Sequence, residues 1–475
     1  MKYLNKTIEY GLYFLVFLLP IQTRWIIKAG DTEYLSYSLY ATDILLIIVL
    51  LLFVVREIAS LTLAMTDKGL SRRNNIVIWW FIGGLALMSA VSVFFAASKP
   101  LALYKLGWLI LGIGLFWLIV SANYNRLKLI YAMLYGLFFQ AILGIWQFLT
   151  QSSFANKWLG MALHDGANLG VSVIETIGAN GIGERWLRAY AGLDHPNMLG
   201  GIMAVGILLI LYLSLVNTPP KKASILQAAL LLKGFLIVFT AALFFSFSRA
   251  AWLGLIAGLI VLLFSAVIKK DWLVQKNILQ TILISGAVIF ILFLQYPNLV
   301  MTRLYAGDRL EVKSTNERVE SIKNSWPIIK NNWVTGAGLG NYTLALSRQM
   351  PGQEIFYYQP AHNVLLLVWA ETGIAGLIFF IGLLVYLIIF NFQFLNPSLK
   401  IENCLSCLKQ GKLKIGENGS GNNGMINLGI LIVLIVLLSL DHWLFDLHFG
   451  VLFFGLVLGL AASEKRDENS GFPPA

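Results

Sequence analysis

"HNVLLLVWAETGIAGLIFFIGLLVYLIIFN", residues 362–391, contains one carboxylate, Glu371, and no Lys or Arg. Roughly 17–25 predominantly apolar residues in a helix cross a bilayer, so residues 364–392 read as a membrane span. Working outward, the same test finds further runs at 8–23, 40–55, 76–97, 101–121, 128–149, 197–216, 228–246, 250–268, 277–295, 425–440 and 447–462. The last two could instead form one re-entrant pair. The 475-residue chain is 58% hydrophobic and 12% charged, whereas soluble domains carry about 25% charge. That excludes a soluble domain. It predicts an all-α polytopic membrane protein of about twelve spans, one transmembrane domain over residues 1–475.

The first run follows Lys2 and Lys6 without a small-residue cleavage site, so it reads as an uncleaved anchor. Cytoplasmic loops are enriched in Lys and Arg. With the N-terminus inside, the inner segments are 1–7, 56–75, 122–127, 217–227, 269–276, 393–424 and 463–475, and each carries a cation. Both termini then lie in the cytoplasm. The outer side receives hairpins at 98–100, 247–249 and 441–446 and two long loops, 150–196 and 296–363. The cytoplasmic loop 393–424 holds Cys404, Cys407 and the polar "GENGSGNNG" at 416–424, read as flexible. One CxxC without two further ligands does not make a zinc site, so the cysteines read as a reduced pair.

The outer loops are basic. The second carries Arg303, Arg309, Lys313, Arg318, Lys323, Lys330 and Arg348, and the first carries Lys157, Arg185 and Arg188. Long loops cross membranes regardless of charge, so a solvated surface is one reading. A basic cavity for an anionic lipid headgroup or a phosphate is the other.

Four pieces converge on that face. "ERWLRAYAGLDHPNMLGG", 184–201, brings Arg185 and Arg188 to the head of a span. His195 and Asn197 stand where Pro196 starts the helix, so they are either local capping groups or part of a site. "FFSFSRAAWLG", 244–254, puts Arg249 in a hairpin with almost no loop, beside Ser246 and Ser248. A charge so near hydrocarbon snorkels, pairs or lines a cavity. In "RVESIKNSWPIIKNNWVTGAGLGNY", 318–342, the spacing of Val319, Ile322, Trp326 and Ile329 predicts a short interfacial helix headed by Arg318. A tight turn at Gly336, Gly338 and Gly340 follows, whose N–H groups could also hold a phosphate. His362 and Asn363 form the fourth piece. On a continuous helix Gly373 and Gly376 fall within about 40° of His362, and Glu371 about 180° away. The glycines would let a helix or lipid tail approach beneath the histidine. Glu371 would pair with another helix or sit uncharged.

"DHWLFDLHF" concentrates Asp441, His442, Asp446 and His448. They could gather a metal, but two facing each span end singly is the expected arrangement. No metal and no cofactor are expected.

His362, Asn363, nine residues, Gly373, two residues and Gly376 match a signature, and on it the chain resembles the O-antigen ligase and O-antigen polymerase superfamily of bacterial membrane glycosyltransferases. "PIIKNNWVTGAGLGNY", "SFSRAAWLG" and "RAYAGLDHPN" look like the same family, and the resemblance covers roughly 185–392. It implies a C-type glycosyltransferase-like fold in the bacterial cytoplasmic membrane, with its site facing outward. It also implies transfer of a glycan from an undecaprenyl-diphosphate carrier to an acceptor hydroxyl. In that chemistry His362 is the expected base, and Arg188, Arg249 and Arg318 the groups that stabilise the leaving diphosphate. Arg185, His195, Asn197, Arg303 and Asn363 are expected to bind substrate. A ligase acting on a lipid-core sugar is the first expectation and a polymerase joining carrier-linked repeats the alternative. Some relatives modify proteins. A membrane solute transporter is the rival of another class, weakened because the polar chemistry sits at one face and no internal repeat is seen. Membrane lipids are expected partners and nucleic acid is not.

Overall fold

The computed structural model describes residues 1–64, 76–168, 170–177, 183–216, 222–305, 309–393 and 420–463. The chain begins with α1 (Lys2–Leu18), a hairpin of β1 (Arg24–Lys28) and β2 (Tyr37–Tyr40), then α2 (Ala41–Ala64), α3 (Ile76–Phe95), α4 (Lys99–Ser121) and α5 (Arg126–Thr150). A second hairpin, β3 (Val173–Ile177) and β4 (Gly183–Leu187), precedes α6 (Pro196–Val216), α7 (Lys222–Ser246), α8 (Arg249–Ile268) and α9 (Trp272–Gln295). Then come α10 (Pro297–Tyr305), α11 (Arg309–Asn331), α12 (Tyr342–Gln349), α13 (Val364–Gln393), α14 (Ser420–Leu440), the single turn α15 (Trp443–Asp446) and α16 (His448–Ala462). Both strand pairs are antiparallel.

Without water, backbone polar groups must pair within their own segment, which is why each apolar run is helical. Short polar residues start helices α5 and α9. Asn125 and Asp271 accept from backbone N–H groups three residues on, at 3.0 and 3.1 Å. Among the described residues nine helices are long and apolar enough to cross a membrane. The expected twelve thus reduce to nine by this measure: α16 has only 15 residues, α1 has only 17, and α2, with Asp43, Arg56 and Glu57 in its sequence, is not among the nine.

Helix α6 is the central post, buried along almost its whole length. Its small residues permit that. A side chain at Gly200 would meet Ser246 Oγ at 2.7 Å, and one at Gly201 would meet Trp443 at 2.7 Å. Helix α14 packs on α8 and α6, α16 on α4, and α13 on α3 and α14. The heads of α6, α8 and α13 and the end of α14 therefore meet at one end of the bundle.

That end is more structured than its sequence suggested. The segment before α2, absent from the expected outer loops, forms the β1–β2 hairpin. The first long loop contains β3–β4. The second contains three helices, and the expected short interfacial helix is the 23-residue α11. Val319, Ile322 and Trp326 are exposed on it, whereas Ile329 is buried. The stripe thus faces outward and its end packs inward. Cys404, Cys407 and most of loop 393–424 lie outside the described residues.

Candidate active site

His362 is fixed by its neighbours' backbones. Its N–H donates to Ser321 Oγ of α11 at 3.0 Å. Asn363 caps α13, accepting from the Leu366 N–H at 3.1 Å, and its amide donates to the Ser439 carbonyl of α14 at 3.1 Å. These bonds set the imidazole Nδ1 4.0 Å from Asp441 Oδ1, with side chains 21% and 6% exposed. An incoming molecule can therefore touch the histidine but not the carboxylate behind it. The His442 ring lies 5.3 Å from the His362 ring, and Tyr34 of the first hairpin covers His442 edge-on at 5.6 Å.

Asp441 continues into a chain of hydrogen bonds. Asn197 Nδ2 donates to Asp441 Oδ2 at 2.7 Å. Arg188 Nη2 donates to Asn197 Oδ1 at 2.8 Å, and Arg188 Nε to the Ser246 carbonyl at 2.8 Å. Arg188 is buried and its segment is clamped from α5. Gln147 accepts from the Ala191 N–H at 2.7 Å, and Gln140 from the Gly192 N–H at 2.8 Å. A guanidinium and an imidazole are thus joined through Asn197 and Asp441.

The α7–α8 hairpin holds a second guanidinium. Phe247 has φ +47°, a region that non-glycine residues seldom adopt, and its carbonyl accepts from Arg303 Nη2 at 2.7 Å. Arg303 also pairs with the buried Glu311 carboxylate, which Arg249 meets from the other side at 3.2 Å. Among the described residues Arg318 makes no hydrogen bond or ion pair. The charges it feels are Asp441, Arg249, Glu311 and Glu317. Four guanidiniums therefore surround two buried carboxylates, leaving a cationic excess suited to an anion.

Burial, and then the His442 charge, push the His362 imidazole down to about 4, with Asp441 opposing them. The ring is neutral at pH 7 and offers a lone pair. Burial pushes the Asp441 carboxyl up, but His442, His362, His195 and the Asn197 amide outweigh it and hold it at about 2.

Not every expected residue joins this network. Arg185 belongs to β4 and pairs across the hairpin with Glu175 at 3.5 Å, while its Nη1 donates to the Ala167 carbonyl at 2.9 Å. His195 uses both ring nitrogens, Nδ1 accepting from the Asn197 N–H at 3.1 Å and Nε2 meeting Ser172 Oγ at 2.9 Å. Its place is the local turn that presents Asn197.

The glycines differ from the continuous-helix expectation. Gly373 has φ +75° and ψ 178°, so α13 breaks there and the single stripe with His362 does not exist. The break receives the glycine turn. The Ala337 N–H donates to the Ala370 carbonyl at 2.7 Å and the Gly338 N–H to the Glu371 carbonyl at 3.1 Å. The Glu371 carboxylate accepts from the Gly340 N–H at 2.7 Å and the Tyr342 N–H at 3.3 Å. Those N–H groups are occupied, so the turn is a strap and not a phosphate cradle, and Glu371 is its buckle. Any side chain at Gly336 would strike the Glu371 carbonyl at 2.2 Å. Gly376 sits one turn beyond the break, against Thr372.

The cluster in "DHWLFDLHF" divides. Asp441 and His442 face His362. Asp446 pairs with Lys105 at 3.5 Å, and His448 with Asp43 at 2.5 Å, its ring stacked on Tyr40. His362, Asp441 and His442 each offer one ligand atom, all within 4.8 Å of one another, the group among the described residues that could hold a metal ion. Such an ion would occupy imidazole nitrogens in place of a proton.

Residues 234–381 match the family model described as O-antigen ligase. Over that segment the chain is similar to the O-antigen ligase superfamily. That match supports glycan transfer of the ligase or polymerase type by a multi-pass membrane protein. No curated protein matches the chain. The matched segment contains Arg249, Arg303, Glu311, Arg318, the glycine strap and His362. Arg188, Asn197 and Asp441 lie outside it, and the fold brings them to it.

Proposed function

We propose that the O-antigen ligase-like chain transfers a glycan from an undecaprenyl-diphosphate carrier to a hydroxyl of a lipid-core sugar, at the outer face of the bacterial cytoplasmic membrane. The observation that carries this reading is the joined pair, a neutral imidazole 4.0 Å from Asp441 and a buried guanidinium one asparagine away. The acceptor oxygen bonds to the anomeric carbon as the bond from that carbon to the diphosphate oxygen breaks. The acceptor proton passes to His362, and the departing diphosphate keeps the bonding electron pair. Asp441 stabilises the imidazolium that forms. Arg188 and Arg318, with Arg249 and Arg303 behind them, stabilise the charge that grows on the diphosphate without having to reorganise. His362 and these arginines need no metal ion or cofactor for these roles.

The test uses purified protein in liposomes with an undecaprenyl-diphosphate oligosaccharide, following release of the lipid diphosphate. Consumption only after a lipid-core acceptor is added supports the ligase reading. Growth of carrier-linked glycan without it replaces that reading with a polymerase. His362→Ala is expected to lower transfer by about 10²–10⁴-fold. Wild-type turnover in this variant, or no donor consumption with any acceptor, overturns the mechanism and favours transport.

A further inference from the structure

The end of the bundle opposite the histidine carries a feature that glycan transfer does not use. A cavity of about 160 Å³ opens between α6, α7 and α9. Ser214, Lys233, Asn277, Gln280 and Thr281 line it amid aliphatic side chains. Lys233 is the one Lys or Arg inside the apolar stretch 226–246. Among the described residues it makes no hydrogen bond, ion pair or cation–π contact, and neither does Gln280. Asn277 and Thr281, by contrast, satisfy themselves on the Leu273 and Asn277 carbonyls.

Depth narrows the occupant. The apolar stretch of α7 begins at Leu226, and Lys233 lies about 10 Å further along the axis at 1.5 Å per residue. Thr281 lies about 14 Å into α9 from Trp272 by the same rule. The cavity therefore sits in the leaflet remote from His362, its lining about 10–14 Å from the starts of these apolar stretches. From that depth the Lys233 stem, tilted back toward the start of α7, carries its ammonium toward the boundary by snorkelling. Lys269, Lys270 and Lys276 add positive charge where α8 passes into α9. A charge at this depth in apolar surroundings marks a functional site with a partner, and among the described residues no carboxylate is that partner.

We propose that this cavity binds the phosphate-bearing headgroup of an anionic phospholipid of that leaflet. Lys233 pairs with the lipid phosphate, Gln280 hydrogen-bonds the headgroup, and the aliphatic lining holds the first acyl carbons. A free phosphate offers the same anionic oxygens but lacks the chain that would fill the apolar part.

The test is native mass spectrometry of the full chain released from detergent, with phosphatidylglycerol, phosphatidylcholine or inorganic phosphate added. Phosphatidylglycerol should be retained over phosphatidylcholine by about fivefold, the share one lysine near an anionic lipid surface supplies. Lys233→Gln should remove that preference and Lys233→Arg should keep it, with monodispersity of both variants confirming that they fold. Equal retention of the two lipids overturns the proposal, as does an unchanged preference in Lys233→Gln. Displacement of phosphatidylglycerol by millimolar inorganic phosphate would overturn the lipid assignment in favour of a free anion. His362→Ala should bind phosphatidylglycerol like the wild type, so this result stands or falls apart from glycan transfer.

Discussion

At the scale of single residues, His362 and Asp441 were unequally legible. His362 stood out because its spacing to Gly373 and Gly376 is a local pattern. Asp441 did not, because its partners, Asn197 and His362, come from two other helices. Glu311, Gln140 and Gln147 were missed for the same reason, and for Asp441 the only signal was the density of titratable groups in "DHWLFDLHF". The network makes a prediction with opposing signs. A base must be unprotonated, so kcat/KM should hold from pH 7 downward and fall as pH drops through about 4, the value of the His362 imidazole. The Asp441 charge holds that value up, and the Arg318 charge holds it down. Asp441→Asn, which keeps an acceptor for Asn197, should move the acid limb to lower pH. Arg318→Gln should move it to higher pH. Asp441→Asn should also slow transfer by about five- to a thousandfold, matching about 1–4 kcal/mol for unit charges 4 Å apart between water and surface-like screening. If both variants shift the limb the same way, the imidazole is not the titrating base.

A second prediction at this scale concerns the His362, Asp441 and His442 trio, whose ligand atoms lie within 4.8 Å of one another. If His362 works as a base, a bound metal would compete with the proton it must accept. Transfer by protein exhaustively treated with a chelator should equal that of untreated protein, and added zinc should inhibit. Loss of turnover on chelation, restored by one divalent ion, would assign the trio to a metal.

At the scale of elements, the helices were visible in the apolar runs because hydrocarbon permits little else. The break in α13 was not. Glycine is frequent in membrane helices and does not by itself mark a break, so a wheel drawn through Gly373 assumed a continuity that the backbone lacks. The tertiary reason is the strap. The Trp333 carbonyl accepts from the Ile374 N–H at 2.9 Å while Ala337 and Gly338 bond to Ala370 and Glu371. Gly373 occupies a backbone region essentially reserved for glycine, and a Cβ there would lie 1.9 Å from the Val334 carbonyl oxygen. Gly373→Ala should therefore lower stability by roughly 1–3 kcal/mol from backbone strain alone, with the clash added. Gly376→Ala meets Thr372, whose Oγ1 can rotate away but whose Cβ at 2.7 Å must shift; with no left-handed backbone to strain, it should cost less. Thermal unfolding in one detergent ranks the two, and equal midpoints would show that the strap does not depend on the break.

At the scale of the whole molecule, the class followed from composition, while the outer-face architecture did not. Hairpins such as β1–β2 are stabilised by packing on helices remote in sequence, with Tyr34 reaching His442. The charge distribution also reads differently once folded. Arg303 and Arg249 share Glu311, Arg309 meets Glu175 at 2.8 Å, and Lys313 meets Glu317 at 3.7 Å. Much of the apparent positive charge beside His362 is thus locally neutralised. By sequence, the segments 56–75, 217–227 and 393–424 carry more cations than acids, 393–424 having four lysines against two glutamates. The positive-inside bias counts Lys and Arg and gives acids little weight. On that bias we propose those segments in the cytoplasm and His362 outside, with the locally paired arginines in a long loop where the bias is weak. The native Cys404 and Cys407 and a cysteine placed at the 70% exposed Trp158 report the two sides. In intact spheroplasts a membrane-impermeant maleimide should label Trp158→Cys in a background lacking the native cysteines, and should label wild type only after lysis. Labelling of the native pair before lysis would invert the molecule and put His362 on the side where a carrier-linked glycan exposed at the outer leaflet cannot reach it.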